Sequence, residues 1–292
     1  MRTSRYKAWG LISPTLFVLF FVGLLPFFYV IYLSLFEYNI WSIRGMVFAG
    51  VSNFRKLMFD SSFMHSLGIG LIFVVIICIT EMCLGLIIAS FLTKEFVGKG
   101  VFRTILALPL AVAPITIGSI WVLMTNPDIG PLPYMLGKFG INYNIGVNAK
   151  QAFFTVVFMD IWHWTPFVTL TLLAGLTSFP KEPFEAARVD GATKWQILRY
   201  ITLPLLTPII LTTLFIRIMD AFRVFDEVWM LTSGGPGTAT RFVSIEVVRR
   251  VLVSTDYGYG SSMSVFLLYL TIVMCWLLLN IISVVRREIR ET

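Results

Sequence analysis

The stretch EAARVDGATKWQILRYITLP, Glu185 to Pro204, lies between two long apolar runs in a chain that is otherwise mostly hydrophobic. Pro183 suits the first turn of a helix, where its missing N–H costs nothing. Phe184, Ala187 and Arg188 follow at helical spacing, and Gly191 can take the left-handed conformation that ends a short helix. A second helical stretch over 192–200 leads through Leu203-Pro204 into the next apolar run. The expected form is a helix–turn–helix lying on the membrane surface. Ala186 and Ala187 are small enough to let another surface approach closely, and Glu185 and Asp190 can accept charge-assisted hydrogen bonds. Trp195 and Ile197 are expected to anchor the second segment against the ends of the spans. The plainer alternative is an amphipathic helix resting on lipid. Two acids and a pair of alanines favour docking to a protein.

Composition says what surrounds this island. The chain has 292 residues, 57% hydrophobic and 13% charged, with mean hydropathy +0.84. That is too little polar surface to cover a water-soluble core, so the bilayer is the solvent. A helix needs about 20 mainly apolar residues to cross. Six runs qualify: 11–36, 66–92, 105–124, 152–176, 205–222 and 263–285, with a loop over 177–204. The expected fold is therefore all-α, a polytopic membrane protein with six transmembrane helices and a cytoplasmic coupling helix. Prolines 14, 26, 109, 114, 166 and 208 punctuate the spans, as helix breaks that a bundle or a water-filled cavity can satisfy.

Charge placement orients the spans. With both termini cytoplasmic, the inner segments hold 13 of the 23 basic residues and six acids, a balance of +7 that equals the whole chain's. The basic excess is thus a positive-inside signal, and nucleic acid is not needed to explain it. The inner set is Arg2, Arg5, Lys7, Lys94, Lys99, Arg103, Lys181, Arg188, Lys194, Arg199, Arg286, Arg287 and Arg290. Cys78, Cys83 and Cys275 lie in apolar runs without a CxxC and read as small buried hydrophobes. Two histidines are too few for a multi-His metal site, and none is expected.

Charges inside spans are costly and mark function or pairing. Asp160, His163, Trp164 and Phe167 share one helix face. They could meet a sugar with acceptors and flat rings, or form an Asp160–His163 pair packed among aromatics; both readings stand. Glu81 reads as a structural hydrogen-bond partner. Arg217, Asp220, Arg223 and Asp226 alternate in sign and read as a row of internal pairs, a lock at the outer end of the fifth span. Asp220 also counts among the candidate pathway residues. Over 241–255, Ile245, Val248 and Leu252 form a stripe, with Glu246, Arg249 and Arg250 elsewhere, which suggests an outer amphipathic helix.

Glu185-Ala186-Ala187, three residues, Gly191, nine residues, Ile201, one residue and Leu203-Pro204 resemble the EAA loop of bacterial ATP-binding-cassette (ABC) importer permeases. The segments ARVDGATKW (187–195) and FRVFDEVWMLTSGGPGTAT (222–240) are similar to the carbohydrate-uptake class, and Gly234-Gly235-Pro236 to its first-permease type. The resemblance implies coupling through Glu185, Ala186, Ala187, Asp190, Gly191, Leu203 and Pro204 in a groove of an ATPase subunit. It implies a second homologous permease, two ATPase subunits and an external solute-binding protein. It also implies a sugar substrate, with polyols and glycerol phosphate as alternatives in the same class, and a bacterial or archaeal inner-membrane location.

No G-x-x-x-x-G-K-[ST] occurs, so this chain has no P-loop and is not expected to be an enzyme. No cofactor is expected in it; ATP and Mg would be bound by the partner ATPases. An autonomous channel or secondary transporter remains the alternative from another class, and it would not need the acids and alanines of the island.

Overall fold

In hydrocarbon every backbone polar group must be satisfied within the protein, and a helix does this within one segment. The computed structural model is accordingly mostly helical; it describes residues 2–291, with side chains over 9–281. The terminal charges Arg2, Arg5, Lys7, Arg286, Arg287, Arg290, Glu288 and Glu291, which carry part of the orientation argument, lie outside the described side chains.

In chain order, α1 (Trp9–Ser34) leads into a short antiparallel pair, β1 (Phe36–Glu37) and β2 (Val47–Phe48), in which Phe36 faces Phe48. Next come α2 (Ser52–Phe59), α3 (Ser61–Leu92), α4 (Lys99–Ala111), α5 (Pro114–Thr125) and α6 (Pro131–Gly137). Then follow α7 (Ala149–Ser178), α8 (Glu182–Val189), α9 (Lys194–Ala221), α10 (Asp226–Thr232), α11 (Val243–Val248) and α12 (Tyr257–Glu291). Among the described residues, α1, α3, α7, α9 and the 257–281 part of α12 are each long and apolar enough to cross a membrane.

The third expected span differs. Instead of one straight helix over 105–124, α4 and α5 meet at an angle of 98°. Ala113 has ψ 140°, the extended conformation that the ring of Pro114 favours for the residue before it. Pro114 then starts α5 at the position where proline costs no hydrogen bond. Pro166, by contrast, sits inside an unbroken α7. In α1 and α9 the ladder loosens to i→i+5 bonding over Leu19–Leu24 and Leu198–Thr202, each just before a proline.

Contacts divide the chain into two units. One comprises Met1–His65 with Glu246–Leu270. Inside it Leu57 and Phe63 are fully buried, Phe63 lies edge-on to Phe266 at 5.4 Å, and the buried Asn53 donates to the carbonyls of Ser34 and Phe36. The other unit comprises Ser66–Ile245 with Thr271–Thr292. Its core joins Ala89 and Leu92 of α3, Val168, Leu172 and Leu173 of α7, and Leu206 of α9. Gly85 makes the α3–α7 approach possible, since a Cβ there would stand 2.6 Å from a Val168 methyl. Gly118 does the same between α5 and α10, where a Cβ would stand 2.7 Å from the Glu227 carbonyl oxygen.

Candidate functional site

Two groupings carry the candidate chemistry. The first is the island. Glu182 and Glu185 lie in the first turn of α8, where the positive end of the helix dipole favours them, and Pro183 occupies the early position that tolerates it. Gly191 follows the helix at φ +76°. A Cβ there would meet nothing within 4 Å, so backbone conformation rather than space calls for glycine. Thr193 then starts α9 with a capping box. Its hydroxyl accepts from the Gln196 amide at 3.3 Å while its own amide donates to Gln196 Oε1 at 2.7 Å. Glu185, Ala186, Asp190 and Gly191 are exposed, Ala187 and Leu203 half-buried, and Pro204 exposed. Trp195 is 64% exposed, so it does not pack against the spans as the sequence suggests; only Ile197 is half-buried.

The second grouping is buried. Arg217 on α9 is fully enclosed. Its Nε donates to Glu81 Oε2 at 2.6 Å and one terminal nitrogen to Glu81 Oε1 at 2.9 Å, a two-pronged hold on α3. That same nitrogen donates to Asp160 Oδ1 on α7 at 2.7 Å, and the other reaches Asp220 at 3.0 Å. The guanidinium also stands 4.8 Å from the centre of the Trp164 ring. Beside it, His163 Nδ1 lies 2.9 Å from Glu227 Oε2 on α10. An isolated ion in this setting is prohibitively costly, so the cluster persists only because each charge has partners. Four helices, α3, α7, α9 and α10, are tied through it.

This geometry corrects several expectations. Asp160 and His163 are not paired with each other, because three residues along α7 points them at different neighbours, Arg217 and Glu227. The alternating row forms only its Arg217–Asp220 member; Arg223 and Asp226 are exposed, and Arg217 faces the interior instead of an outer rim. Glu81 takes the hydrogen-bonding part expected of it. Trp164 and Phe167 are half-buried and edge-on, with ring centres 6.3 Å apart. Glu227 was not singled out from sequence, although its burial with Val228 and Leu231 makes a helical face, i, i+1, i+4. Helix α11 does bury Ile245, but Leu252 is 69% exposed and Glu246 is buried, accepting from Arg250 at 3.2 Å. Among the described residues no group of three or more His, Cys, Asp or Glu is placed to hold a metal ion.

The family described as "Binding-protein-dependent transport system inner membrane component" matches over residues 81–290. The chain is similar to the trehalose/maltose transport system permease protein MalF of Thermococcus litoralis, with 35% identity over 270 residues, 91% of each protein. It is also similar to the sn-glycerol-3-phosphate transport system permease protein UgpA of Agrobacterium fabrum, with 33% identity over 231 residues, covering 78% of this chain and 78% of that one. In fold it resembles a chain of a bacterial ABC transporter involved in import of the acidic polysaccharide alginate, with TM-score 0.83, 20% identity and 96% of both chains covered.

Proposed function

This chain belongs to the family of binding-protein-dependent transport system inner membrane components, and from that premise we propose that it forms half of the translocation pathway of an ATP-driven sugar importer. It is a multi-pass inner-membrane permease, the transmembrane subunit of an ABC importer and not its ATPase. In the proposed assembly it pairs with a second permease, two ATPase subunits that hold ATP and Mg, and an external solute-binding protein. Both termini and the 185–204 island face the cytoplasm.

The observation that carries the coupling role is α8 itself, a short exposed helix with Glu185, Ala186 and Ala187 in its middle and a left-handed Gly191 at its end. Small side chains admit a groove wall, and the acids offer anchors for basic groups. ATP-driven closure of the ATPases then displaces α8, and α9, which begins after Gly191, carries the motion into the membrane. For any shift in conformation, the ATPases must favour one permease state over the other. Within the membrane, Asp160, His163, Trp164, Phe167 and Asp220 remain the proposed pathway residues, with the half-buried rings of Trp164 and Phe167 and the exposed Asp220 best placed to meet substrate.

The choice of a neutral sugar over a glycerol phosphate rests on the relative that matches 91% of the chain, a trehalose/maltose permease, and on Arg217. A phosphate site wants cations that are not already held by carboxylates, and Arg217 is held by three.

The test is reconstitution of the assembled transporter carrying Gly191→Val or Glu185→Lys. Uptake and ATPase stimulation are expected to fall by at least tenfold, with sugar binding by the solute-binding protein unchanged. Normal uptake by both variants defeats the coupling role. Import of glycerol 3-phosphate in preference to maltose or trehalose by the wild-type system defeats the sugar reading.

A further inference from the structure

The unit formed by Met1–His65 and Glu246–Leu270 contains an open cavity of about 680 Å³ that the translocation chemistry above does not use. It opens where α1 ends, α3 begins and α12 begins. That size falls in the range of small-molecule sites, about 300–1,000 Å³.

Its chemistry is selective. Three carboxylates (Glu37, Asp60, Asp256) and three cations (Arg44, Lys56, Arg250) line it, so it carries no net charge. Lys56 is paired with Glu37, and Arg250 lies 3.4 Å from Asp60, so an incoming anion finds two of the three cations engaged. An apolar ligand finds too many charges. A neutral polyhydroxylated molecule finds both donors and acceptors, together with rings for its C–H faces. Tyr38 and Phe59 both line the cavity, and Phe59 is 83% exposed.

The loop that follows Tyr38 is held in place. The Trp41 amide donates to Asn39 Oδ1 at 2.9 Å, and Asn39 Nδ2 donates to the Ser254 carbonyl at 3.1 Å. Asn39 also bridges to Asp256 through the backbone. Gly258 allows this closeness, because a Cβ there would overlap the Phe36 carbonyl oxygen. Backbone held this way is ordered before a ligand arrives, which lowers the entropic cost of binding.

We propose that this cavity is a saccharide-binding site, separate from the buried Arg217 cluster. It holds one or two residues of a neutral sugar between the rings of Tyr38 and Phe59 and the polar groups of Asn39, Glu37 and Asp256. The proposal rests on the sugar reading above for the choice of ligand.

The experiment is saturation-transfer NMR and calorimetric titration of the full-length chain in nanodiscs with maltose and with trehalose, and with glycerol 3-phosphate as the anionic comparison. Saturable sugar binding is expected, weakened at least tenfold by Tyr38→Ala and by Phe59→Ala and unchanged by Phe139→Ala, an exposed ring elsewhere. Unaltered thermal unfolding of the first two variants shows that they fold. Absence of sugar binding, equal affinity in all variants, or tighter binding of glycerol 3-phosphate overturns the proposal. So does loss of solute-binding-protein docking in the two variants with sugar binding intact, which would make this a protein interface. Sugar uptake by the assembled transporter without binding at this cavity sinks only this proposal, whereas uptake of glycerol 3-phosphate in place of sugar sinks the reading on which it rests.

Discussion

Arg217 shows how one side chain can decide a local arrangement. Truncation to alanine leaves Glu81 and Asp160 buried without their cation, and breaking a buried ion pair from one side costs about 3–5 kcal/mol. Thermal unfolding of Arg217→Ala in nanodiscs should show a loss of that size. Adding Glu81→Gln and Asp160→Asn to the same variant should recover part of it, because the uncompensated charges are then gone. Asp60 gives a different test at the same scale. Burial raises its pKa, but hydrogen bonds from the Tyr259 hydroxyl and the Phe63 and Ser62 amides, together with the Arg250 charge, outweigh this and hold the carboxyl below its ordinary value of 3.8. A folded-state value below the unfolded one means stabilisation that is complete above pH 3.8 and lost as pH falls from there through the folded value. Asp60→Asn should therefore be less stable than wild type near neutral pH, and the gap in melting temperature should shrink below pH 3.8. Charged residues inside spans were legible as important in the sequence. Apart from the local Arg217–Asp220 pair, their partners were not, because pairing depends on which helices meet.

Elements are where glycines and prolines act. At Gly118 even a methyl group would stand 2.7 Å from the Glu227 carbonyl oxygen, a backbone atom that cannot swing aside. Gly118→Ala should thus push α5 from α10 and cost about 1–3 kcal/mol by overpacking, read as a lower unfolding midpoint. Gly191 is the opposite case, open in space but constrained in φ. Gly191→Ala should cost about 1 kcal/mol from the left-handed backbone alone and fray the end of α8, seen as faster hydrogen exchange over 186–192. Helix existence in the island was readable from Pro183 and Gly191, whereas the capping box at Thr193 was not singled out. The 98° bend before Pro114 was not readable, since Pro166 lies inside a helix that continues unbroken. A proline marks a weak point, and the packing around it determines whether the helix breaks there.

Across the whole molecule, burial is uneven in a way that suggests missing neighbours. Within its most apolar window α7 is 61% buried, whereas α1 is 6% and the 257–281 helix 17%. Bare apolar helices need lipid or the proposed second permease. Co-expression with that permease should raise the melting temperature in detergent relative to the chain alone. The proposed orientation has its own check: cysteines placed at Lys94 and Lys194 should resist an impermeant thiol reagent in intact cells, and labelling there would invert the topology. The amino-acid sequence by itself determined the solvent, the all-α class and the short helix of the 185–204 island, because hydropathy and backbone preference act over neighbouring residues. Only the tertiary structure decided that Arg217 serves Glu81 and Asp160, that His163 turns to Glu227, that the third apolar run is bent, and that Trp195 stands in the open. The pairings depend on residues 57 to 136 positions apart meeting in one place, and no local pattern encodes a meeting between such distant parts of a chain.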